Sequence, residues 1–194
     1  MYDYIVGKLA ELTPTHSVVE INGLGYLVNI SLQTYSAING KNEVKLYLHQ
    51  VIREDAHLLF GFYEAKEREL FRLLISVSGV GASTARLILS SLTADELRAA
   101  ILTENINLIK QVKGIGLKTA QRIVVDLKDK VVGDDFTSKQ IMPAAHNTSR
   151  EEALSALVML GFSKPATEKV LDQIIRESGG GAVEELIKSA LKRL

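Results

Sequence analysis

The chain has 194 residues, of which 46% are hydrophobic, so it can bury one sizeable core or two to three small ones. It contains no cysteine, which excludes disulfides, thiolate zinc sites and iron–sulfur clusters. Its net charge is zero, which excludes a uniformly basic surface, although Lys and Arg outnumber Asp and Glu by three within residues 63–132.

The N-terminal sequence lacks both the basic region and the apolar region of a signal peptide. No apolar run approaches the length that spans a bilayer. We therefore expect a soluble, cytoplasmic protein that has no membrane partner.

Residues 1–62 have the pattern of a small β domain. Residues 18–21 and 26–30 are rich in β-branched and aromatic side chains and flank a turn that begins with Asn22-Gly23, while residues 44–48 alternate with a period of two. About five short strands with glycine-rich turns fit an oligonucleotide-binding (OB) type barrel, although the pattern separates it poorly from other small barrels.

A polar tip, Arg53-Glu54-Asp55, lies between two apolar strand segments of this domain. Two adjacent carboxylates at the tip of a hairpin are in most cases ordinary solvated turn residues. They are also too few to hold a metal ion, and the four histidines of the chain have neither metal-ligand nor triad spacing. The sequence therefore predicts no metal site.

The most informative feature is a phrase that occurs twice, at residues 77–85 and 112–120, with every matched residue offset by 35. Each copy contains Gly-apolar-Gly, and its pattern predicts a helix, a tight turn and a second helix. Such an internal repeat is typical of one supersecondary unit used twice. Beyond the glycines, the two copies and the segments before them share Val77 with Val112, Thr84 with Thr119, Ala85 with Ala120, Glu69 with Glu104 and Leu73 with Leu108.

Each repeated turn has the chemistry of a phosphate-binding site. The glycines allow a positive φ and a close approach of the backbone to a ligand, and the apolar residue between them can fill the gap between the helices. The following helix begins with unpaired N–H groups, which together with the helix dipole suit a phosphate oxygen. The alternative is an ordinary helix connection, in which glycine caps one helix and alanine allows close packing of the next.

Two other glycine-rich motifs are excluded by single residues. A dinucleotide fingerprint requires a third glycine where Thr84 and Thr119 stand, and a P-loop requires glycine directly before Lys-Ser/Thr, whereas Leu117 separates Gly116 from Lys118. We therefore expect that the chain does not hydrolyse ATP itself.

Residues 63–132 predict an all-α domain. Leu70, Phe71, Leu74 and Val77 form one apolar helix face that leads into the first turn. Helices over 83–91 and 117–130, a Thr93/Glu96 capping box and a segment at 102–112 that leads into the second turn complete the domain.

Residues 133–148 lack apolar periodicity and predict a flexible linker. Three short helices are expected in residues 149–194. The first starts at a Ser149/Glu152 capping box and ends at Gly161, the second starts at Ser163 and Pro165, and glycines at 179–181 separate it from the third, over 182–194. Met159, Leu160 and Phe162 indicate either a docking surface or a minimal core.

The combination of the acidic tip, Leu-Phe-Gly-Phe at 59–62, both glycine turns, Lys118-Thr119-Ala120 and the charged run at 126–130 resembles the RuvA family of Holliday-junction-binding proteins. The resemblance covers the whole chain and is weakest over the linker. It implies a multidomain α+β fold: an OB-type barrel, a double helix-hairpin-helix domain and a mobile, UBA-like three-helix bundle.

The resemblance also implies partners. Family members hold four-way junction DNA open during recombination and repair and load the hexameric ATPase RuvB, which would dock on residues 149–194. A four-fold homotetramer or a stacked octamer, and a further partnership with the resolvase RuvC, are implied in the same way. The chain itself is then expected to have no catalytic residue and no cofactor.

Site residues follow from the resemblance at matching positions. Glu54 and Asp55 would form an acidic pin near the four-fold centre. Where the family usually has Pro-Lys, this chain has Ala82-Ser83, and Leu117 replaces a frequent lysine, so we expect a shallower salt dependence of DNA binding. The residues that would contact phosphates are Gly79, Val80, Gly81, Ser83, Thr84, Gly114, Ile115, Gly116, Lys118, Thr119 and Arg122.

Two alternatives remain open. The second turn also resembles that of helix-hairpin-helix glycosylases and nucleases, for which Asp126 would be the candidate acid, although it lies in a charged run typical of a solvated helix face. A protein-interaction adaptor would fit the last domain, but it would leave the repeated turns unexplained.

Overall fold

The structure is a computed structural model that describes residues 2–133 and 147–194. The chain divides into two compact units, Met1–Phe136 and Thr137–Leu194. Across the two described stretches, no helix combines the length and the apolar character that crossing a membrane requires.

The predicted barrel is confirmed. Five strands close in the order β1-β2-β3-β5-β4, with only the β3–β5 pair parallel. Asn22 and Gly23 connect β2 to β3 with φ values of +49° and +83°, as a two-residue hairpin turn requires. The strands are β1 (Tyr4–Leu12), β2 (His16–Ile21), β3 (Leu24–Ile30), β4 (Glu43–Ile52) and β5 (His57–Phe62).

One helix of this domain was missed by the strand-only prediction for residues 1–62. Helix α1 (Leu32–Ile38) lies between β3 and β4, and Ser31 caps it by accepting the N–H of Thr34 at 3.0 Å. Ile38 is fully buried in the barrel core. The helix therefore covers part of the barrel interior.

Five helices follow within the same compact unit. Leu70, Phe71, Leu74 and Val77 are all buried, and the Thr93/Glu96 capping box forms, so both predictions are confirmed. The helices are α2 (Ala65–Ser76), α3 (Ala82–Ser91), α4 (Ala94–Leu102), α5 (Ile106–Lys110) and α6 (Leu117–Gly133).

The segment before the second turn is divided. Glu104 has a φ of +53° and separates the end of α4 from α5, so only the five residues of α5 lead into the turn. The segment at 102–112 leads into the second turn, as predicted, and its helical part is short because a residue in the left-handed region ends a helix.

Barrel and helices share a hydrophobic core. Phe60 and Phe62 of β5 lie against Phe71 of α2, with ring centroids 5.1 and 4.9 Å apart. All three side chains are at least 98% buried and belong to the cluster that fills the helical region. The end of the barrel therefore continues directly into the helical core.

A buried carboxylate also connects the barrel domain to the helices. The Glu67 side chain of α2 accepts hydrogen bonds from the hydroxyls of Ser31 and Thr34, the latter at 2.8 Å. Thr34 in turn accepts the N–H of Tyr63 at 3.0 Å. Burial raises the pKa of Glu67, and the two hydroxyl donors oppose that shift by stabilising the charged form.

The second unit is a three-helix bundle. Its core is formed mainly by Ala153, Leu157, Leu171, Ile174, Leu186 and Ala190. Gly161, with a φ of +99°, ends the first helix, and Phe162 donates its N–H to the carbonyl of Leu157, as in a Schellman motif. The helices are α7 (Asn147–Met159), α8 (Lys164–Ser178) and α9 (Val183–Leu191).

The predicted starts and stops of this bundle have mixed outcomes. Helix α8 starts after Ser163, which is at the N-cap position without a side-chain capping bond, has Pro165 in its first turn and ends at Gly179 with a φ of +75°, as predicted. The Ser149/Glu152 capping box is wrong, because α7 already begins at Asn147 and Ser149 is inside the helix. Gly133, Asn147 and Thr148 of the predicted linker are helical, and the rest of it, 134–146, lies outside the described residues.

Candidate nucleic-acid interface

The two repeated turns share one backbone conformation at their first glycine. Gly79 and Gly114 have φ values of +89° and +88°, in the left-handed region that favours glycine. Gly81 is extended, with φ −84° and ψ 169°, and Gly116 also lacks a positive φ. Only the first glycine of each pair is therefore required by the turn itself.

The residue between the glycines fills the gap between the helices, as predicted. Val80 and Ile115 are each 95% buried in the helical core. Their N–H groups donate to the carbonyls of Val77 and Val112, both at 3.0 Å. These two residues therefore pack the turns, and their amides are occupied within the chain.

Free amides lie on both sides of these two residues. The N–H groups of Gly79 and Gly114 have no acceptor among the described residues, and further free amides begin one residue after Val80 and Ile115. Ala85 and Ala120 make the first helical bonds, to the carbonyls of Gly81 and Gly116 at 2.9 and 3.0 Å. The N–H groups of residues 81–84 and 116–119 have no acceptor in the part of the chain that the structure describes. Each turn thus presents four unpaired amides at the positive end of a helix dipole, which is an anion-binding arrangement.

The second glycine of each pair leaves space for a ligand. A Cβ placed on Gly81 or Gly116 would meet no atom of the chain within 4 Å. Neither the backbone conformation nor internal packing explains glycine at these positions. A bare backbone here allows an external group to approach the free amides closely.

Polar side chains surround the two amide groups. Ser83 and Lys118 are exposed in the first turns of α3 and α6, and Lys118 has no ion-pair partner among the described residues. Arg122 of α6 donates to the carbonyl of Ser78 at 3.4 Å, which places its guanidinium beside the first turn. Thr84 and Thr119 are half-buried at equivalent positions.

The acidic tip projects into solvent. Arg53, Glu54 and Asp55 are exposed between β4 and β5, and the hairpin closes through the N–H of Arg53 to the carbonyl of Ala56 at 2.8 Å. Within residues 2–133 and 147–194, no group of three or more His, Asp or Glu side chains could hold a metal ion. Asp126, the residue that a glycosylase would use, is exposed on α6.

Two residues at the joint between barrel and helices were missed by sequence reasoning. Arg86 of α3 donates to the carbonyl of Thr15 and to Asn29 Oδ1, and Glu67 accepts from the barrel residues described above. The partners of Arg86 and Glu67 lie 33 to 71 residues away in sequence, so no local pattern could reveal these hydrogen bonds, although helical spacing from Leu70 places Glu67 on the buried face of α2.

The fold and the paired turns define a tandem helix-hairpin-helix protein built on a five-stranded barrel. Three protein-family profiles match: the RuvA N terminal domain over residues 1–61, the SAM-like helix-hairpin-helix tandem over 71–129 and the RuvA C-terminal domain over 148–194. The chain belongs to the RuvA family.

Full-length relatives carry one name, Holliday junction branch migration complex subunit RuvA. The relative from Bacteroides fragilis is 52% identical over 201 residues, that from Parabacteroides distasonis 53% over 196, and that from Christiangramia forsetii 50% over 197. Each alignment covers all of both chains.

Proposed function

We propose that this chain binds four-way Holliday junction DNA as the non-catalytic, DNA-binding subunit of a branch migration complex. Membership of the RuvA family and the names of its full-length relatives support this function. The observation that carries it is the pair of equivalent turns, each with four free amides at the start of a helix, in the same compact unit as an exposed acidic tip.

The two turns grip the DNA backbone. Free amides of Gly79, Gly114 and residues 81–84 and 116–119 bind phosphate oxygens, and the hydroxyls of Ser83, Thr84 and Thr119 add donors. Lys118 and Arg122 add positive charge beside the amides. Such contacts recognise backbone shape and position without reading a base, which suits a protein that must follow a moving crossover.

The acidic tip acts by repulsion. Glu54 and Asp55 lie near the crossover, where their carboxylates disfavour close approach of phosphates and oppose stacking of the arms. The junction then stays open while bases exchange partners. The favourable binding energy comes from the two repeated glycine turns.

Assembly places these elements around the junction. Four copies form a four-fold ring, and a second ring can stack on it to give an octamer. Residues 149–194 dock the hexameric ATPase RuvB, which supplies ATP hydrolysis, and the resolvase RuvC joins the same complex. The protein acts in the cytoplasm without a metal or cofactor of its own. The exposed Met159 and Leu160 of the bundle support a docking role.

A mobility-shift competition tests the function. Labelled four-way junction is bound in stated Mg²⁺ and salt and is displaced by unlabelled junction or by linear duplex of identical sequence. We expect the junction to compete far better than the duplex. Equal competition would overturn the proposal, and strand cleavage or base release without a partner would favour the glycosylase or nuclease alternative.

A further inference from the structure

Arg86 connects the first turn to the barrel. It lies on α3, one turn beyond Ser83, and its side chain is half-buried. Its Nη1 donates to the backbone carbonyl of Thr15 at 2.8 Å and to Asn29 Oδ1 at 3.3 Å. One guanidinium group therefore holds the helix that begins at the first phosphate-binding turn against two segments of the barrel.

The connection continues toward the acidic tip. Asn29 of β3 donates its Nδ2 to the carbonyl of Leu59 at 3.1 Å. Leu59 lies on β5, the strand that leaves the tip at residues 53–55, and β3 pairs with β5 in parallel at this point. Two side chains thus form a hydrogen-bonded path from α3 to the strand that carries the tip.

A second contact lies one turn further along the same face of α3. Ser90 accepts the N–H of Leu32 at 3.1 Å and donates to the carbonyl of Arg86 at 2.8 Å. Polar groups at both positions therefore dock this helix on the barrel.

The internal repeat shows that these contacts are special to the first turn. With the 35-residue offset, the counterparts of Arg86 and Ser90 on α6 are Gln121 and Val125. Both are exposed, Val125 to 74%. The turn itself forms equally well in both copies, so it does not require Arg86.

We propose that Arg86 is a positioning residue that fixes the first phosphate-binding turn relative to the acidic tip and thereby sets the preference for a four-way junction over linear duplex. This inference rests on the proposed function. A junction must seat its crossover over the tip while the turns hold its arms, so its affinity depends on the distance between turn and tip. This is a steric requirement, and it persists when the tip loses its charges. Linear duplex engages the turns alone, so its affinity does not depend on that distance.

The test compares junction and duplex dissociation constants for the full-length protein with Arg86→Met, Arg86→Lys and Asn29→Asp. Methionine keeps much of the apolar stem, lysine keeps the charge but not the planar set of donors, and aspartate keeps the acceptor for Arg86 but loses the donor to Leu59. Arg72→Met is the matched control, because Arg72 pairs with Glu69 on its own helix.

We expect each of the three variants to bind the junction about tenfold more weakly, equivalent to about 1.4 kcal/mol, with duplex affinity within about twofold of wild type. The salt slope and the thermal midpoint of Arg86→Lys should stay near the wild-type values, and Arg72→Met should bind as wild type.

Three results would overturn the inference. Equal weakening on junction and duplex, together with a slope of log affinity against log salt that is shallower by about 0.9 in Arg86→Met, would make Arg86 a direct phosphate contact. Equal weakening without that change would give it a merely structural role, and an unchanged junction preference would give it none. A wild-type protein without junction preference would instead refute the proposed function.

Discussion

Gly79 and Gly114 stand 35 residues apart and share one backbone conformation, with φ of +89° and +88°. The equivalence continues into the helices that follow, where Ala85 and Ala120 are both fully buried. The repeat in sequence is thus a repeat in structure. Because each copy has its own set of free amides, the proposed DNA interface has two points of contact with the backbone.

The two glycines of each turn should respond differently to substitution. Gly81→Ala and Gly116→Ala should leave the free energy of unfolding within about 1 kcal/mol of wild type, because neither position needs a positive φ and neither Cβ meets the chain. Both should weaken junction binding at least tenfold, because the methyl group blocks approach to the amides. Chemical denaturation and mobility shift measure the two effects.

Gly79→Ala provides the contrast. Alanine in the left-handed region costs roughly 1–2 kcal/mol, so this variant should lose stability. If Gly81→Ala and Gly116→Ala capture the junction as well as wild type does, the amides of these turns are not the DNA contacts.

The scarcity of cations in the first turn should appear in the salt dependence of binding. Ser83 is exposed beside the free amides, so Ser83→Lys should place a new cation near a phosphate. We expect tighter junction binding at low salt and a slope of log affinity against log salt that is steeper by about 0.9. Ser83→Ala is the control and should leave the slope unchanged. A steep wild-type slope, equal to that of a relative with lysines in both turns, would contradict this account.

Sequence patterns predicted the structural features that depend on residues close together in the chain. Period-two alternation predicted the barrel, and the Thr93/Glu96 pattern predicted a capping box that forms. The buried faces of Val80 and Ile115 followed from their place between two glycines. In each case the interacting groups lie within one turn or one strand pair of each other.

Sequence patterns did not predict contacts between residues that are far apart in the chain. They also did not predict where a helix begins when several neighbouring residues could cap it. Arg86 and Thr15 are 71 positions apart, so nothing local marks their contact. Glu67 lies on the same helix face as Leu70 and Phe71, three and four positions later, so its burial follows from helical spacing, but only the fold brings it to Ser31. Asn147, Thr148 and Ser149 are all residues that favour caps, so the sequence could not decide which of them begins α7.

The buried Glu67 should make stability depend on pH. Burial raises its pKa above the ordinary value of 4.5, so the unfolded chain releases this proton at a lower pH than the folded protein does. The stabilising contribution of the neutral form is complete below 4.5 and is lost as pH rises through the folded pKa. The free energy of unfolding of wild type minus that of Glu67→Gln should therefore fall with rising pH above 4.5.

Denaturation followed by circular dichroism at several pH values measures this difference. Glu43→Gln, which removes an exposed carboxylate from β4, is the control for the loss of one acidic side chain elsewhere in the chain. A constant difference between wild type and Glu67→Gln across the range would show that Glu67 does not titrate abnormally.

Removing the charges of the acidic tip should change the rate of branch migration without weakening junction binding. Glu54→Gln combined with Asp55→Asn keeps the shape of the exposed turn and removes two negative charges. We expect junction affinity to stay equal or to rise by no more than about fivefold, since exposed charges are screened. The rate of branch migration with RuvB should change, because the open junction is no longer enforced. Loss of junction binding in this variant would refute the repulsion argument.

The exposed apolar end of α7 should matter for the ATPase and not for DNA. Met159 is 86% exposed and Leu160 62%. Met159→Lys removes the apolar contact and places a cation near the helix C-terminus, where the dipole favours it, so the bundle should keep its stability. Titration with purified RuvB should show at least a tenfold loss of affinity, with junction binding unchanged. Ser155→Lys adds the same charge at another exposed position of α7 and should bind RuvB normally. If both variants bind RuvB as wild type does, the ATPase docks elsewhere on the chain.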